Sequence, residues 1–145
     1  MKHAMRVWRR SPVCRSGVEV GYVRVRLGKG ITVQETRIST AHLALSDTYM
    51  SDAATGLLSP RGSADSAFDA GYFALLSVLT EDERAAMQHP SEQAVVLASQ
   101  RLGLDPRRGL ALACTRYSAE EWPEPGEVIA WADSVRAQAR RFEIR

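Results

Sequence analysis

Cysteine, lysine and long apolar runs are scarce in this chain, and each shortage excludes a class of protein. Two cysteines, Cys14 and Cys114, occur in 145 residues, and their spacing forms no metal or redox motif. We interpret Cys114 as a small buried hydrophobe and expect a reducing cytoplasm. Two lysines stand against 17 arginines, a bias that favours a GC-rich bacterial genome. No apolar run reaches the ~18 residues of a membrane span, and no apolar core of a signal peptide follows the basic N-terminus.

Acidic residues are scarce at the start of the chain. Residues 1–38 hold nine basic and two acidic side chains, whereas residues 39–145 carry a net charge of −5. A basic arm on a mildly acidic body predicts binding to nucleic acid, and the alternative is a solvated tail. The arginines assigned to nucleic-acid binding in the first case are Arg6, Arg9, Arg10, Arg24 and Arg26.

An alternating apolar and polar pattern in residues 18–34, VEVGYVRVRLGKGITVQ, predicts a β-hairpin with its turn at 28–30. A lone hairpin is marginally stable in water, so it must pack on the body or stay mobile. Residues 1–37 are therefore predicted to be an extension that is either a hairpin or disordered. A second hypothesis places the true start of the protein at Val33, with residues 1–32 as a mis-assigned leader.

From Ile38 onward the apolar period changes from two to about 3.6, which predicts helices. The first helix is expected to bury one apolar stripe, and a break at 59–63 separates it from a second helix capped by Ser63. The second helix is apolar nearly all round, which is typical of a central bundle helix or of a dimer interface. The predicted stripe of the first helix consists of Ile38, Ala41, Leu45, Tyr49, Ala53 and Leu57.

Capping signals predict the remaining helices. Thr80 and Glu83 form a capping box that opens a short helix at residue 81. Proline at the first helical position opens three more, at Pro90, Pro106 and Pro125, and Gly103 stops the first of these. The fold class is therefore predicted to be all-α, an up-and-down bundle of four to five helices over residues 38–145.

The order of these segments resembles the HEPN family of small helical-bundle domains. SAFDAGYFALLSVL is similar to the central helix of the family, and QHPSEQAVVLASQRLGL resembles its histidine followed by an amphipathic helix. LALACTRYS before an acidic, proline-containing loop resembles the Arg/Tyr segment, and EVIAWADSVRAQAR resembles the closing helix. The resemblance covers residues 38–142 and leaves the N-terminal extension without a counterpart.

The resemblance implies an up-and-down bundle that is often dimeric, with links to toxin–antitoxin pairs, defence and RNA. Our leading hypothesis is a HEPN-like interaction module without catalysis of its own, or with degenerate catalysis. Its expected partner is a second copy or a cognate protein, with RNA as a further partner and no membrane. The resemblance implies no metal and no cofactor.

The segment ERAAMQHP, at 83–90, supplies the candidate catalytic residues of the alternative hypothesis. Arg84 precedes His89 at a spacing that resembles the R-x4-6-H signature of HEPN ribonucleases. There the histidine acts on a ribose 2′-hydroxyl and the arginine stabilises phosphate charge, without a metal. On one continuous helix the two residues would be roughly 140° apart, so they converge only where Pro90 ends the helix. We interpret Arg84 as a solvated helix residue and His89 as a turn residue.

Family members normally carry this motif beside the segment that is LALACTRYS here. That segment holds Arg116 and Tyr117 but no histidine, and tyrosine is a poor general base at pH 7 because its pKa is near 10. These two residues are therefore the weaker catalytic candidates. We interpret His42 as a hydrogen-bonded boundary histidine. The chain has no metal-ligand spacing, and we expect Tyr72 and Phe73 to lie in the core.

Overall fold

The computed structural model describes residues 33–116 and 123–143, and these residues form a helical bundle with no strand among them. The helices are α1 (Val33–Ala54), α2 (Pro60–Ser77), α3 (Glu81–Ala85), α4 (Glu92–Arg101), α5 (Pro106–Arg116) and α6 (Pro125–Glu143). The all-α prediction is confirmed for this part of the chain. None of the described helices combines the length and apolar character needed to cross a membrane.

Helices α1 and α2 pack antiparallel along their length. Ser63 at the start of α2 donates its hydroxyl to the Ala53 carbonyl near the end of α1, at 2.8 Å. Ser46, in the middle of α1, is fully buried and donates to the Ala70 carbonyl at 2.7 Å. The buried Ser46 hydroxyl and the partly buried Ser63 hydroxyl each donate to a backbone carbonyl of the other helix, so these two serines fix the register of the pair.

Helix α2 is the central element, and α1, α4, α5 and α6 all pack against it. Trp131 of α6 lies flat on it, with its ring centroid 5.3 Å from that of Phe68. A Cβ on Gly71 would lie 2.3 Å from Trp131 Cζ3, so the indole fits only because this position has no side chain. Of the two predictions for an all-round apolar helix, the central position is therefore the one the structure shows.

Several predicted helix ends are confirmed. The Thr80 hydroxyl accepts the Glu83 N–H at 3.2 Å, while the Glu83 carboxylate accepts the Thr80 N–H at 2.8 Å, which completes the capping box. Gly103 stops α4 with a φ of +70°, a conformation that favours glycine. Pro106 and Pro125 are the first residues of α5 and α6.

Three predicted helix starts are wrong. Ser59, not Ser63, caps α2, because Pro60 has no N–H to satisfy and the Ser59 hydroxyl accepts the Gly62 N–H at 3.0 Å. The predicted start of α4 at Pro90 is also wrong, because the helix begins at Glu92 and is capped by Ser91, whose hydroxyl accepts the Ala94 N–H. The first helix begins at Val33 rather than Ile38, so the last residues of the predicted hairpin are helical.

Only Ala53 of the predicted stripe is fully buried, so the prediction is wrong for the other positions of helix α1. Its buried residues are Leu43, Ser46, Met50 and Ala53, which recur every three or four positions as the predicted stripe does. Leu45 is 44% exposed and Leu57, beyond the end of α1, is 88% exposed. The periodicity was compatible with two faces, and the Ser46 hydrogen bond to α2 allows a polar residue to lie on the buried one.

Candidate functional site at the corner between α2 and α4

Arg84 and His89 meet at the corner where α2 ends and α4 begins. Helix α3 stops at Ala85, so the two residues do not share a continuous helix. The chain turns after α3 and places His89 Nε2 2.8 Å from the Arg84 carbonyl oxygen. The structure therefore brings the predicted pair together, through the backbone of Arg84 rather than through its guanidinium.

The guanidinium of Arg84 is directed into the protein. Arg84 is 8% exposed, and its Nη1 donates to the carbonyls of Leu76 at 2.8 Å and Leu79 at 2.5 Å. Arg84 is therefore the side-chain donor for the Leu79 carbonyl, two residues beyond α2, and a second donor for the Leu76 carbonyl, which also accepts the Leu79 N–H at 3.2 Å. The interpretation of Arg84 as a solvated residue is wrong, since its guanidinium is buried against these carbonyls.

Tyr72 connects His89 to the start of α4. Its hydroxyl oxygen lies 2.8 Å from the Ser91 backbone nitrogen and 2.7 Å from His89 Nδ1. Because the Ser91 N–H can only donate, the hydroxyl accepts it and donates its own hydrogen to Nδ1. Nε2 then carries the ring hydrogen and donates to the Arg84 carbonyl, which can only accept. Both ring nitrogens of His89 therefore hold the corner together, although the side chain is exposed.

His42 of α1 approaches the same corner. Its Nδ1 donates to the Ile38 carbonyl at 2.8 Å, and its ring centroid lies 5.9 Å from that of Phe73. Burial lowers the pKa of His42; the bond to Ile38 opposes this, and repulsion from Arg84, and from His89 when its ring is protonated, lowers it further. The ring is therefore neutral at pH 7, with a hydrogen on Nδ1 and a lone pair on Nε2. The interpretation of His42 as a hydrogen-bonded boundary histidine is confirmed.

Arg116, the weaker phosphate-binding candidate, lies on the side of α2 toward its N-terminal half. Its guanidinium contacts the carboxylates of Asp69 at 2.5 Å and Asp65 at 3.5 Å. Its Cζ also lies 5.1 Å from the centroid of the Phe68 ring. Two carboxylates facing one guanidinium leave no excess positive charge for a phosphate, so the arrangement is that of an ion pair joining α5 to α2.

Other predicted site residues lie outside the described part of the chain. These are Tyr117 and the five arginines of the basic arm. Within the described ranges, no three His, Cys, Asp or Glu side chains are grouped as metal ligands.

Sequence reasoning missed the role of Tyr72, which bonds to His89 across the core. A buried tyrosine needs a polar partner for its hydroxyl, and this was the available signal. Expecting Tyr72 in the core was right, because it is buried, whereas Phe73 is only partly covered. The choice of His89 as that partner depends on the turn after α3, which the sequence does not specify.

Comparison with known proteins yields no relative from which a function could be transferred. No family model matches the chain, nor does any curated protein or solved structure. The function is therefore argued from the geometry of the corner and from the motifs of the sequence.

Proposed function

We propose that this chain is a HEPN-like helical interaction module that does not itself cleave RNA. The observation that carries the proposal is the direction of the Arg84 guanidinium, which donates to two carbonyls at the end of α2. A phosphate-stabilising arginine must instead present its donors to the substrate. Breaking the bonds of Arg84 to reach a phosphate would leave the Leu79 carbonyl without that donor, at a cost of about 1–3 kcal/mol, whereas the Leu76 carbonyl would keep the Leu79 N–H.

The order of the elements supports the HEPN-like part of the proposal. The segment SAFDAGYFALLSVL belongs mostly to α2, which is central in the bundle, as the corresponding helix of the family would be. The His-Pro pair precedes α4, and EVIAWADSVRAQAR lies in α6. An all-α bundle is shared by many unrelated families, so the motifs and not the architecture carry this part.

A module of this kind acts through its partners. The proposed partner is a second copy or a cognate protein in a toxin–antitoxin, defence or RNA-associated system within the cytoplasm. Contact with RNA would then come from the basic arm, residues 1–37, acting on an acidic body rather than from a catalytic cleft.

An RNA cleavage assay in EDTA tests the absence of catalysis. The purified full chain is compared with His89→Ala and Arg84→Ala, and with Arg108→Ala as a matched control because Arg108 is exposed on α5. We expect no cleavage by the folded wild type across structured and single-stranded RNA. Cleavage that His89→Ala and Arg84→Ala abolish, and that Arg108→Ala retains, would show that the chain is a ribonuclease.

A metal-independent RNA endonuclease is the second candidate function, and the approach of His42 to Arg84 and His89 favours it. A neutral histidine with a lone pair on Nε2 can accept the proton of a ribose 2′-hydroxyl. If the wild type cleaves RNA, this candidate predicts that His42→Gln lowers kcat and alters the acidic limb of the pH–rate profile. Cleavage with an unchanged profile in His42→Gln would leave His89 as the only candidate acid–base histidine among the described residues.

A further inference from the structure

The connection between α1 and α2 is the longest exposed stretch in the described part of the chain. All eight residues from 54 to 61 are exposed, and those from 55 to 59 lie outside the two helices. Leu57 is 88% exposed and Leu58 is 42% exposed. We call residues 54–61 the α1–α2 connection; it presents two neighbouring large apolar side chains to solvent.

The peptide bond between Leu57 and Leu58 is as open as the two side chains. The Leu57 N–H has one long contact, to the Thr55 hydroxyl at 3.4 Å. Leu57 and Leu58 take part in no other hydrogen bond among the residues that the structure describes. Backbone groups without a partner in the protein are free to pair with the backbone or side chains of another molecule.

Both ends of the α1–α2 connection are anchored, which confines a local opening to its middle. The Thr55 hydroxyl donates to the Asp52 carbonyl at 2.9 Å, and the Ser59 hydroxyl accepts the Gly62 N–H at 3.0 Å. Between these anchors, Gly56 has a φ of +71°. Because glycine moves between backbone conformations at little cost, the segment between the anchors can become extended while α1 and α2 stay folded.

We propose that the peptide bond between Leu57 and Leu58 is a site of limited proteolysis in the folded protein, cut by an endopeptidase whose specificity pocket binds a large aliphatic side chain. Leu57 fills that pocket, and the open backbone around it supplies the extended segment that an endopeptidase binds. Hydrolysis breaks the C–N bond between the two leucines. Water adds its hydroxyl to the Leu57 carbonyl carbon and a hydrogen to the Leu58 nitrogen. The inference does not depend on the proposed function.

The two pieces are expected to stay associated after the cut, because α1 is held to the body by contacts outside the connection. The Ser46 hydroxyl donates to the Ala70 carbonyl of α2 at 2.7 Å, and Asp47 pairs with Arg136 of α6 at 2.5 Å. The buried apolar residues of α1 are Leu43, Met50 and Ala53. The cut therefore converts one chain into a module of two pieces, in which residues 1–57 are held by non-covalent contacts alone.

Limited digestion of the full chain with chymotrypsin, followed by intact-mass spectrometry, tests the site. We expect the first cut between residues 33 and 116 to fall after Leu57, although chymotrypsin also accepts the aromatic residues of α1 and α2, because those lie within helices. The double variant Leu57→Ser/Leu58→Ser should be cut there at least roughly tenfold more slowly, because serine does not fill an apolar pocket. Leu45→Ser is the matched control, because Leu45 is 44% exposed but helical, and its rate should equal that of wild type.

Each part of the proposal has an outcome that overturns it. No cut between residues 33 and 116, a first cut elsewhere in that range, or an equal rate in the double variant rejects the site. Leu43→Ala destabilises the whole fold, so a faster cut in that variant would show that cleavage requires global unfolding and not local opening. Size-exclusion chromatography of the cut protein should show both pieces in one peak, and separate peaks would overturn their association. Thermal melts verify that every variant is folded before digestion.

Discussion

Helix α2 is covered on almost every side, whereas the described residues cover one flank of α1 fully and a second, uncharged flank only in part. In α2 the covering elements are α1, α6 and the pair α4–α5, and most of its residues from Ala64 to Ser77 are buried. In α1 the buried face contains a serine, and the partly covered flank contains an exposed leucine and a half-buried tyrosine and histidine. The comparison shows that apolar periodicity identifies a helix and does not identify which face is buried.

The largest effect is expected where α2 is most tightly covered. Gly71→Ala places a Cβ against the Trp131 ring, and neither the helix backbone nor the indole can move without opening the core. We expect a loss of about 3 kcal/mol in the free energy of unfolding, measured by urea denaturation. Gly126→Ala is the control, because its Cβ would meet no atom within 4 Å. Equal effects in both variants would show that the indole contact does not cause the loss, since helix propensity alone favours alanine over glycine at both positions.

The next effect separates the two faces of α1. Leu43→Ala empties a site on the buried face and is expected to destabilise the fold by about 2–4 kcal/mol. Leu45→Ala, two residues along, is expected to change the stability of the monomer by less than about 0.5 kcal/mol. Both are measured by denaturation at low protein concentration, so that association does not contribute. A larger loss for Leu45→Ala would mean that the faces of α1 are assigned the wrong way round.

A third effect concerns the end of α2. Arg84→Met keeps the aliphatic stem and removes the donors to the Leu76 and Leu79 carbonyls. We expect the free energy of unfolding, measured by urea denaturation, to fall by about 2 kcal/mol. For the exposed Arg108→Met we expect a change within about 0.5 kcal/mol. Stability that is unchanged in Arg84→Met would show that the guanidinium does not stabilise the end of α2.

The smallest effect is a pH dependence on the open flank of α1. Because the fold lowers the pKa of His42, it favours the neutral ring, whose contribution is complete above the ordinary value of 6.5. It is lost as the pH falls from 6.5 toward the lowered pKa. The charged Arg84 and the titratable His89 face the ring, while α2 contributes the uncharged Phe73. Melting temperatures of wild type and His42→Phe should therefore converge toward lower pH; parallel curves would contradict this.

The helix ends show how much local sequence reveals. The capping box at Thr80, the glycine stop at Gly103 and the proline starts at Pro106 and Pro125 were predictable, because each depends on residues within one turn. The start of α2 was misplaced, although Ser59-Pro60 offers the same signal as Asp105-Pro106. Ser59 and Ser63 are both possible N-caps at that break. Ser63 does not cap α2, because its hydroxyl donates to the Ala53 carbonyl of α1.

The candidate site was predictable in its residue identities and not in its chemistry. The pairing of Arg84 with His89 follows from a motif, whereas the helix that Pro90 was expected to stop at His89 already ends at Ala85. The burial of the Arg84 guanidinium was not predictable, because it depends on carbonyl acceptors in and after α2, outside the helix that carries Arg84. The partner of His89 was not predictable for the same reason, since the Tyr72 hydroxyl also belongs to α2.

Composition, charge and periodicity were sufficient for the all-helical class, for most helix ends and for the residues worth testing, since these depend on neighbours along the chain. Contacts between helices decided three things: that α2 is central, that Leu45 lies in the open while Ser46 is buried, and that Arg84 faces inward. The physical reason is that a side chain lowers the free energy by finding apolar cover or a hydrogen-bond partner. In this bundle those partners are distant in sequence, on helices whose packing no local pattern specifies.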